Sequence, residues 1–185
     1  RGETEFVDLS VLARECDIIT FHTPLNRNGK YKTFHLADAD FFAGLQRKPF
    51  IVNTSRGEVI ETLALLDALK TGRIRDAVID TWENEPDLLQ KVFLGTPHIA
   101  GYSADGKSNA TRMALEELCN FFHIQADFKI VPPALPYMDY SSDPEEAFLQ
   151  VYDPTRDSDA LKRHPEEFEH LRGNYPLRRE ISFLP

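Results

Sequence analysis

Residues 49–80 read PFIVNTSRGEVIETLALLDALKTGRIRDAVID and contain the pattern that decides the fold. Two short apolar runs, Phe50-Ile51-Val52 and Ala77-Val78-Ile79, flank a stretch in which apolar residues recur every three or four positions. Continuous apolar runs of this length are typical of buried parallel strands, and the spacing between them predicts a helix over residues 58–70. Strand, helix and strand in succession indicate a parallel sheet with helical crossovers.

The chain repeats this pattern on both sides of the unit. Residues 17–22 predict a further buried strand, and residues 9–14 and 38–46 predict two helices. Residues 105–126 predict a long helix with one apolar side. We therefore predict an α/β fold built around a parallel sheet.

Prolines at positions 132, 133 and 136 interrupt the helical pattern, so we predict a linker over residues 131–143. The segment beyond it is acidic but still rich in leucine and phenylalanine, which indicates a small, mostly helical module. About fifty residues bury little core alone, so we expect this module to pack on another chain.

Composition excludes several classes of protein. Among 185 residues, 30 are acidic and 21 basic, a net charge of −9, which argues against a nucleic-acid-binding protein. No apolar run is long enough for a transmembrane helix. Cys16 and Cys119 lie far apart in apolar contexts, so we expect reduced thiols in a cytoplasmic protein.

Candidate functional residues follow the predicted strands. In parallel sheets, polar residues just past the carboxyl ends of the strands face the ligand crevice. Such positions are held by Thr23 and by residues 53–56, 80–85 and 96–102. Polar loops also occur in domains without a ligand, so position alone leaves function undecided.

Three of these side chains together suit the oxidation of a 2-hydroxy acid. The guanidinium of Arg56 can hold a substrate carboxylate, and His98 can accept the hydroxyl proton near neutral pH. Glu85 can orient the second ring nitrogen of the histidine. Taken singly, each has a structural alternative: a surface ion pair, a buried histidine, a turn cap. Their joint placement at strand ends favours chemistry.

Three segments resemble the signatures of the D-isomer-specific 2-hydroxyacid dehydrogenases. They are Asn53-Thr54-Ser55-Arg56-Gly57, Asp80 with Glu85-Pro86, and Pro97-His98. The resemblance covers almost the entire chain. The segment His98-Ile99-Ala100-Gly101-Tyr102-Ser103 and the C-terminal tail resemble one branch of that family most closely.

The resemblance implies roles for individual residues. The family's catalytic arginine, acid and base match Arg56, Glu85 and His98, and Tyr102 matches a substrate-contacting position. The resemblance implies NAD as the cofactor and no metal. The positions that match the family's cofactor lining are Thr23, Thr54, Ser55, Arg56, Asp80 and Gly101. The closest branch implies oxidation of 4-phospho-D-erythronate to its 2-oxo acid in pyridoxal 5'-phosphate synthesis, by a cytoplasmic homodimer formed through the tail.

A phosphorylated substrate also suggests Lys107. The helix predicted from Asp105 would present free amide groups at its start, which attract anions, and Lys107 lies in the first turn. We therefore predict that Lys107 helps to neutralise the substrate phosphate. The alternative is a solvated surface lysine.

The sequence departs from the family most clearly in its glycine pattern. The glycine pattern G-x-G-x-x-G, which lets backbone amides approach the pyrophosphate of a dinucleotide, is absent from the chain. We therefore expect the C-terminal half of a Rossmann-like cofactor domain in residues 1–104, a helix over 105–130 returning toward a substrate domain, and a linker with an α+β dimerisation module in 131–185.

Such a fragment is expected to be inactive alone, and its sequence leaves the choice between NAD and NADP open. Two other interpretations remain. The parent protein could be a different D-2-hydroxyacid dehydrogenase. Alternatively, the chain could be a non-catalytic dimerising interaction module of the same superfamily.

Overall fold

The computed structural model describes residues 6–83, 88–134 and 139–180, and these form a four-stranded sheet whose spatial order follows the chain. The strands are β1 (Ile18–Phe21), β2 (Phe50–Asn53), β3 (Asp76–Ile79) and β4 (Leu94–Gly95). Every neighbouring pair is parallel, so all four carboxyl ends lie at one edge. The predicted parallel α/β fold is confirmed, although the two-residue strand β4 was not predicted.

The described residues also form seven α-helices, which are α1 (Leu9–Glu15), α2 (Ala39–Ala43), α3 (Thr62–Lys70), α4 (Ala104–Phe122), α5 (Pro144–Val151), α6 (Pro154–Arg163) and α7 (Phe168–Gly173). The single helix predicted over 58–70 is wrong at its start. A 3-10 turn at Gly57–Val59 precedes α3 because Ile60 forms an isolated parallel β-bridge with Ala37. The helix predicted over 38–46 is likewise shortened to α2.

The long helix α4 is shorter than the prediction, which extended it to residue 126 and assigned 105–130 to it. His123 adopts a left-handed conformation with φ of 55°, and the amide of Ile124 donates to the carbonyl of Cys119 at 2.9 Å. This closes the helix at Phe122. Its predicted apolar side is largely exposed, with Phe121 at 76% and Met113 at 59%.

The core lies between the sheet and the helices that cross it. Alternate residues of β1, β2 and β3 point into it, while Phe41, Phe42 and Leu65 are contributed by α2 and α3. Phe21 and Phe41 meet edge to face with ring centroids 6.0 Å apart. Full burial of each large apolar side chain stabilises the fold by about 1.5–3 kcal/mol.

The C-terminal helices attach to the sheet at β4. The hydroxyl of Ser158 on α6 accepts from the amide of Gly95 at 3.1 Å, and the ammonium of Lys162 donates to the carbonyls of Val92 and Phe93. A helix laid over an edge strand prevents further strand pairing. The mostly helical tail is confirmed for the described residues, whereas residues 135–138 of the predicted linker and 181–185 lie outside them.

Within the described part of the chain, no helix is long and apolar enough to cross a membrane. Cys16 and Cys119 are free and half-buried.

Gly57 provides a test of how closely the turn after β2 packs on the segment after β3. A Cβ atom at Gly57 would collide with the backbone of Trp82, which cannot rotate away as a side chain could. We expect Gly57→Ala to lower the free energy of unfolding in urea by about 3 kcal/mol, the upper end of overpacking effects.

The matched control is Gly173→Ala, where a Cβ would meet nothing within 4 Å. Its effect should stay within about 0.5 kcal/mol. Equal effects for the two variants would contradict the close approach at Gly57.

Candidate active site

The polar residues predicted to form a site collect at the carboxyl edge of the sheet. The strand ends are in register, since Phe21 pairs with Asn53 and Asn53 pairs with Ile79. The residues that follow β1, β2 and β3, which include Thr23, Thr54 and Asp80, therefore lie side by side at this edge of the sheet. The tertiary structure thus brings together three of the sequence-predicted segments.

The turn after β2 is shaped by a buried amide. Asn53 is 1% exposed, and its carbonyl oxygen accepts from both the amide and the hydroxyl of Ser55, at 3.1 and 2.9 Å. Its NH₂ group donates to the carbonyl of Arg56 at 2.9 Å. Because this closes the backbone into a tight turn, the side chain of Arg56 projects to the exposed surface, with one guanidinium nitrogen donating to the carbonyl of Ser55.

A buried carboxylate organises the loop after β4. Asp80 is 2% exposed and accepts three hydrogen bonds, from the hydroxyl of Thr96 and the amides of Ile99 and Ala100, at 2.7 to 3.0 Å. Such bonds compensate for burying the charge. Sequence predicted Asp80 as a cofactor-lining residue, and the structure adds that its two oxygens already hold this loop in place.

His98 lies directly before the two amides that Asp80 holds. It is half-buried and has a left-handed backbone with φ of 59°, which is uncommon for a residue other than glycine. Burial lowers the pKa of His98 below its ordinary value, opposed by the charge of Asp80 and reinforced by Arg172 and Arg56. A neutral imidazole is the form that can accept a proton.

Glu85 lies outside the described residues, but the segment leading to it is anchored. The carboxylate of Glu83 accepts from the amide and hydroxyl of Thr62 and lies 2.5 Å from Nε2 of His35. Burial tends to raise the pKa of Glu83, but these hydrogen bonds outweigh it, so the pKa is lowered. No sequence pattern identified this cluster, because its members are separated by 21 to 48 positions.

Tyr102 and Lys107, both predicted to contact substrate, lie together. The ammonium of Lys107 is 3.8 Å from the centre of the Tyr102 ring, a cation–π contact. The expectation of free amides at the start of α4 is wrong for two of them. The amide of Ala104 donates to the carbonyl of Arg178, and that of Gly106 donates to the hydroxyl of Ser103. An anion at this place would therefore be held by side chains.

Sequence reasoning missed a group of charged residues on α7. Arg172 and Glu169 lie near enough to His98 to act on its pKa in opposite directions, although more than 70 positions separate them from it in the chain. Nε of Arg172 is buried and has no hydrogen-bond partner among the described residues. No local motif could have predicted this, since a distal module brings these residues to the site.

Two buried hydroxyls fit a ligand at this edge. Oγ1 of Thr23 and Oγ1 of Thr81 are buried, with no hydrogen-bond partner in the described ranges. A ligand that supplies a polar atom there would satisfy them. Gly101 is exposed and has open space around it, which leaves room for such a ligand. No group of three or more potential metal ligands occurs in the part of the chain that the structure describes.

Comparison with known proteins identifies the family. Residues 1–100 match the family model described as the NAD binding domain of D-isomer specific 2-hydroxyacid dehydrogenases. The chain belongs to this family. A second model, a domain of unknown function (DUF3410), matches residues 133–185 of this family member.

The curated relatives are similar over nearly the whole chain. It is 61% identical over 185 residues to the erythronate-4-phosphate dehydrogenase of Bacteroides thetaiotaomicron, an alignment of 97% of this chain and 53% of the relative. It is 44% identical over 202 residues to the enzyme of the same name from Edwardsiella ictaluri, covering 100% of this chain and 54% of the relative. The chain thus spans about half the length of the curated relatives it matches.

Solved structures of 2-hydroxyacid dehydrogenases share the fold. The apo form of Rhodotorula graminis D-mandelate dehydrogenase superposes with a TM-score of 0.54 at 30% identity, over 69% of this chain and 39% of that one. A D-2-hydroxyisocaproate dehydrogenase superposes with a TM-score of 0.52 at 27% identity, over 63% and 40%. These matches confirm the Rossmann-type NAD-binding fold of this 2-hydroxyacid dehydrogenase family member.

The loop that carries His98 is expected to loosen when Asp80 loses its charge. In Asp80→Asn, an NH₂ group would replace one acceptor oxygen and face a backbone N–H that then lacks a partner. We expect a loss of about 1–3 kcal/mol in the free energy of unfolding, together with faster hydrogen exchange at the amides of Ile99 and Ala100.

The exposed Asp67 on α3 gives the control, Asp67→Asn, which should change stability by no more than about 0.5 kcal/mol. Unchanged exchange at Ile99 and Ala100 in Asp80→Asn would show that its carboxylate does not hold the loop.

Titration of His98 tests the contribution of the C-terminal module to the site. Followed by NMR in the 185-residue chain, the His98 ring should titrate below the ordinary value of about 6.5. Arg172→Gln removes a positive charge that disfavours the imidazolium, so the pKa of His98 should rise.

The control Arg47→Gln removes a charge that pairs with Asp17 instead, and should leave the His98 titration unchanged. If Arg172→Gln and Arg47→Gln gave the same pKa for His98, the placement of α7 beside this histidine would be wrong.

Proposed function

We propose that this chain is the C-terminal part of an NAD-dependent dehydrogenase that oxidises 4-phospho-D-erythronate to its 2-oxo acid. The observation that carries the proposal is that Arg56, Asp80 and His98 meet at one sheet edge in a chain 61% identical to an enzyme of that name. A guanidinium that can hold the substrate carboxylate and an imidazole that can accept the hydroxyl proton suit the oxidation of a 2-hydroxy acid.

Each residue has a defined task in this proposal. Arg56, exposed at the edge and held by the Asn53 turn, binds the substrate carboxylate next to the reacting carbon. His98 accepts the proton of the 2-hydroxyl group on a ring nitrogen. Glu85 bonds the other ring nitrogen and favours the imidazolium that forms, as the acid does in catalytic triads.

NAD, when bound, supplies the acceptor for the hydride that leaves the substrate carbon. The residues proposed to hold it are Thr23, Thr54, Ser55, Arg56, Asp80 and Gly101. The buried hydroxyl of Thr23 supports this, since it has no hydrogen-bond partner among the described residues and a ligand could supply one. The part of the cofactor site that holds the pyrophosphate would belong to a preceding segment, because no G-x-G-x-x-G pattern occurs here.

We propose that Tyr102 and Lys107 recognise the substrate phosphate. Their cation–π contact places the ammonium over the tyrosine ring. Tyr102 directly precedes the N-cap of α4, and Lys107 lies in its first turn. A phosphate would be held by the charge of Lys107 and a hydrogen bond from Tyr102. Because two of the amides expected to be free at the start of α4 are bonded within the chain, the proposal rests on this pair of side chains.

We further propose the division of the chain into a partial cofactor domain over 1–104, a returning helix over 105–130, and a linker with a dimerisation module over 131–185. Exposed apolar side chains on α4 and α5, such as Phe121 and Phe148, support contacts with other segments or a second copy. The parent enzyme would be a cytoplasmic homodimer acting in pyridoxal 5'-phosphate synthesis. The 185-residue chain alone would be inactive.

The test is an NAD-linked assay of the complete enzyme with 4-phosphoerythronate and a panel of other 2-hydroxy acids, including D-mandelate and D-lactate. We expect the phosphorylated acid to give the highest kcat/KM and the 185-residue chain to give no turnover. His98→Ala should lower kcat by about 10²–10⁴-fold, the usual contribution of a general base, while NAD still binds.

The exposed His164 supplies the control, since His164→Ala should keep full activity. Preference for an unphosphorylated acid would make the parent a different 2-hydroxyacid dehydrogenase. Absence of turnover with every acid, together with self-association, would instead support a non-catalytic interaction module.

A further inference from the structure

The two residues after His98 are hydrogen-bonded on both sides of the backbone. Their N–H groups, on Ile99 and Ala100, donate to the two carboxylate oxygens of Asp80 at 2.7 and 3.0 Å. Their carbonyl oxygens accept from a single guanidinium nitrogen, Nη2 of Arg178, at 3.0 and 2.9 Å. The backbone that follows His98 therefore lies between a carboxylate from the sheet and a guanidinium from the C-terminal module.

The guanidinium of Arg178 is itself held in a fixed plane. It lies 4.1 Å from the centre of the Tyr152 ring, and Nη1 donates to the hydroxyl oxygen of Tyr175 at 3.3 Å. The Tyr175 hydroxyl in turn donates to the carboxylate of Asp157 at 3.0 Å. Burial raises the pKa of Tyr152 to about 12, so this ring stays uncharged beside the cation.

The backbone around Arg178 is attached to the other end of the same loop. The amide of Ala104 donates to the carbonyl of Arg178 at 2.8 Å, and Ser103 and Arg178 form a parallel β-bridge. Two residues later, the Glu180 amide donates to the buried carboxylate of Asp105 at 2.8 Å. The side chain and the backbone of Arg178 thus reach both ends of the segment between His98 and α4.

These hydrogen bonds stabilise the unusual backbone conformation of His98. A non-glycine residue in the left-handed region is strained and persists only where its surroundings over-determine it. His98, with φ of 59°, is followed by two residues whose four backbone polar groups are all bonded, to Asp80 or to Arg178. Removing either partner would let the backbone relax and turn the imidazole away.

We propose that Arg178 is a positioning residue that, with Asp80, holds His98 in its catalytic orientation, so that the C-terminal module is part of the active-site framework. The inference rests on the proposed function only in taking His98 as the base. Lysine would be a poor substitute, because one ammonium cannot reproduce a planar fork that bonds two carbonyls and a tyrosine hydroxyl together.

The kinetic test compares Arg178→Met with Arg156→Met in the complete enzyme. Methionine keeps an apolar stem and removes every donor, and Arg156 belongs to the same module but is 83% exposed. We expect Arg178→Met to lower kcat by about 10–100-fold, as a misplacement of about 1 Å can, with little change in the KM for NAD. Arg178→Lys should recover part of this loss, and Arg156→Met should behave as wild type.

The second test uses the 185-residue chain and needs no substrate. The groups that face His98 are Asp80 after β3, Arg56 after β2, and Arg172 and Glu169 on α7, and all four remain in the variant. Because these charges are unchanged, Arg178→Met should affect the NMR titration of His98 only by making the imidazole ring more exposed to solvent. Greater exposure raises the pKa of His98 toward its ordinary value.

The proposal is overturned if Arg178→Met matches Arg156→Met in both kcat and the His98 titration. If Arg178→Met does not fold, Arg178→Lys is used in its place. Wild-type kcat and a wild-type His98 titration in Arg178→Lys would then overturn the proposal. If the wild-type enzyme fails to oxidise 4-phosphoerythronate but the titration shifts as expected, the proposed substrate is wrong while the positioning by Arg178 stands.

Discussion

The buried carboxylate of Asp80 is the constraint on which the site depends. A charge that is 2% exposed must be satisfied by donors, and the chain supplies them from one short loop after β4. Because two of those donors are backbone amides, the carboxylate fixes the backbone conformation of this loop. His98 immediately precedes them and is carried into its left-handed conformation.

The parallel sheet makes this arrangement possible. Its strand ends are in register, so residues widely separated in the chain begin at one edge: Thr23 after β1, Arg56 after β2 and Asp80 after β3. The two-residue strand β4 adds little pairing of its own and is supported by α6, through Ser158 and Lys162. The C-terminal module therefore stabilises the part of the sheet from which the His98 loop departs.

Much of the fold and part of the candidate site could be predicted from sequence. The buried strands β1, β2 and β3 were recognisable as apolar runs, and strand-end positions together with the family resemblance indicated Arg56, Asp80 and His98. The predictions failed where tertiary contacts override local pattern. Ile60 has helical spacing but pairs with Ala37 as a bridge. The apolar side of α4 satisfied the helical pattern yet is exposed, because periodicity cannot say what covers it.

The sequence by itself determined the parallel α/β framework, its family and the residue types at the strand ends, because these follow from local periodicity and short motifs. Only the tertiary structure decided that Asp80 and Arg178, nearly a hundred positions apart, hydrogen-bond to the backbone of the same two residues, and that α7 places Arg172 beside His98. The physical reason is that hydrogen bonds and charge interactions act over a few ångströms in space. Their partners are chosen by packing, and no local pattern records them.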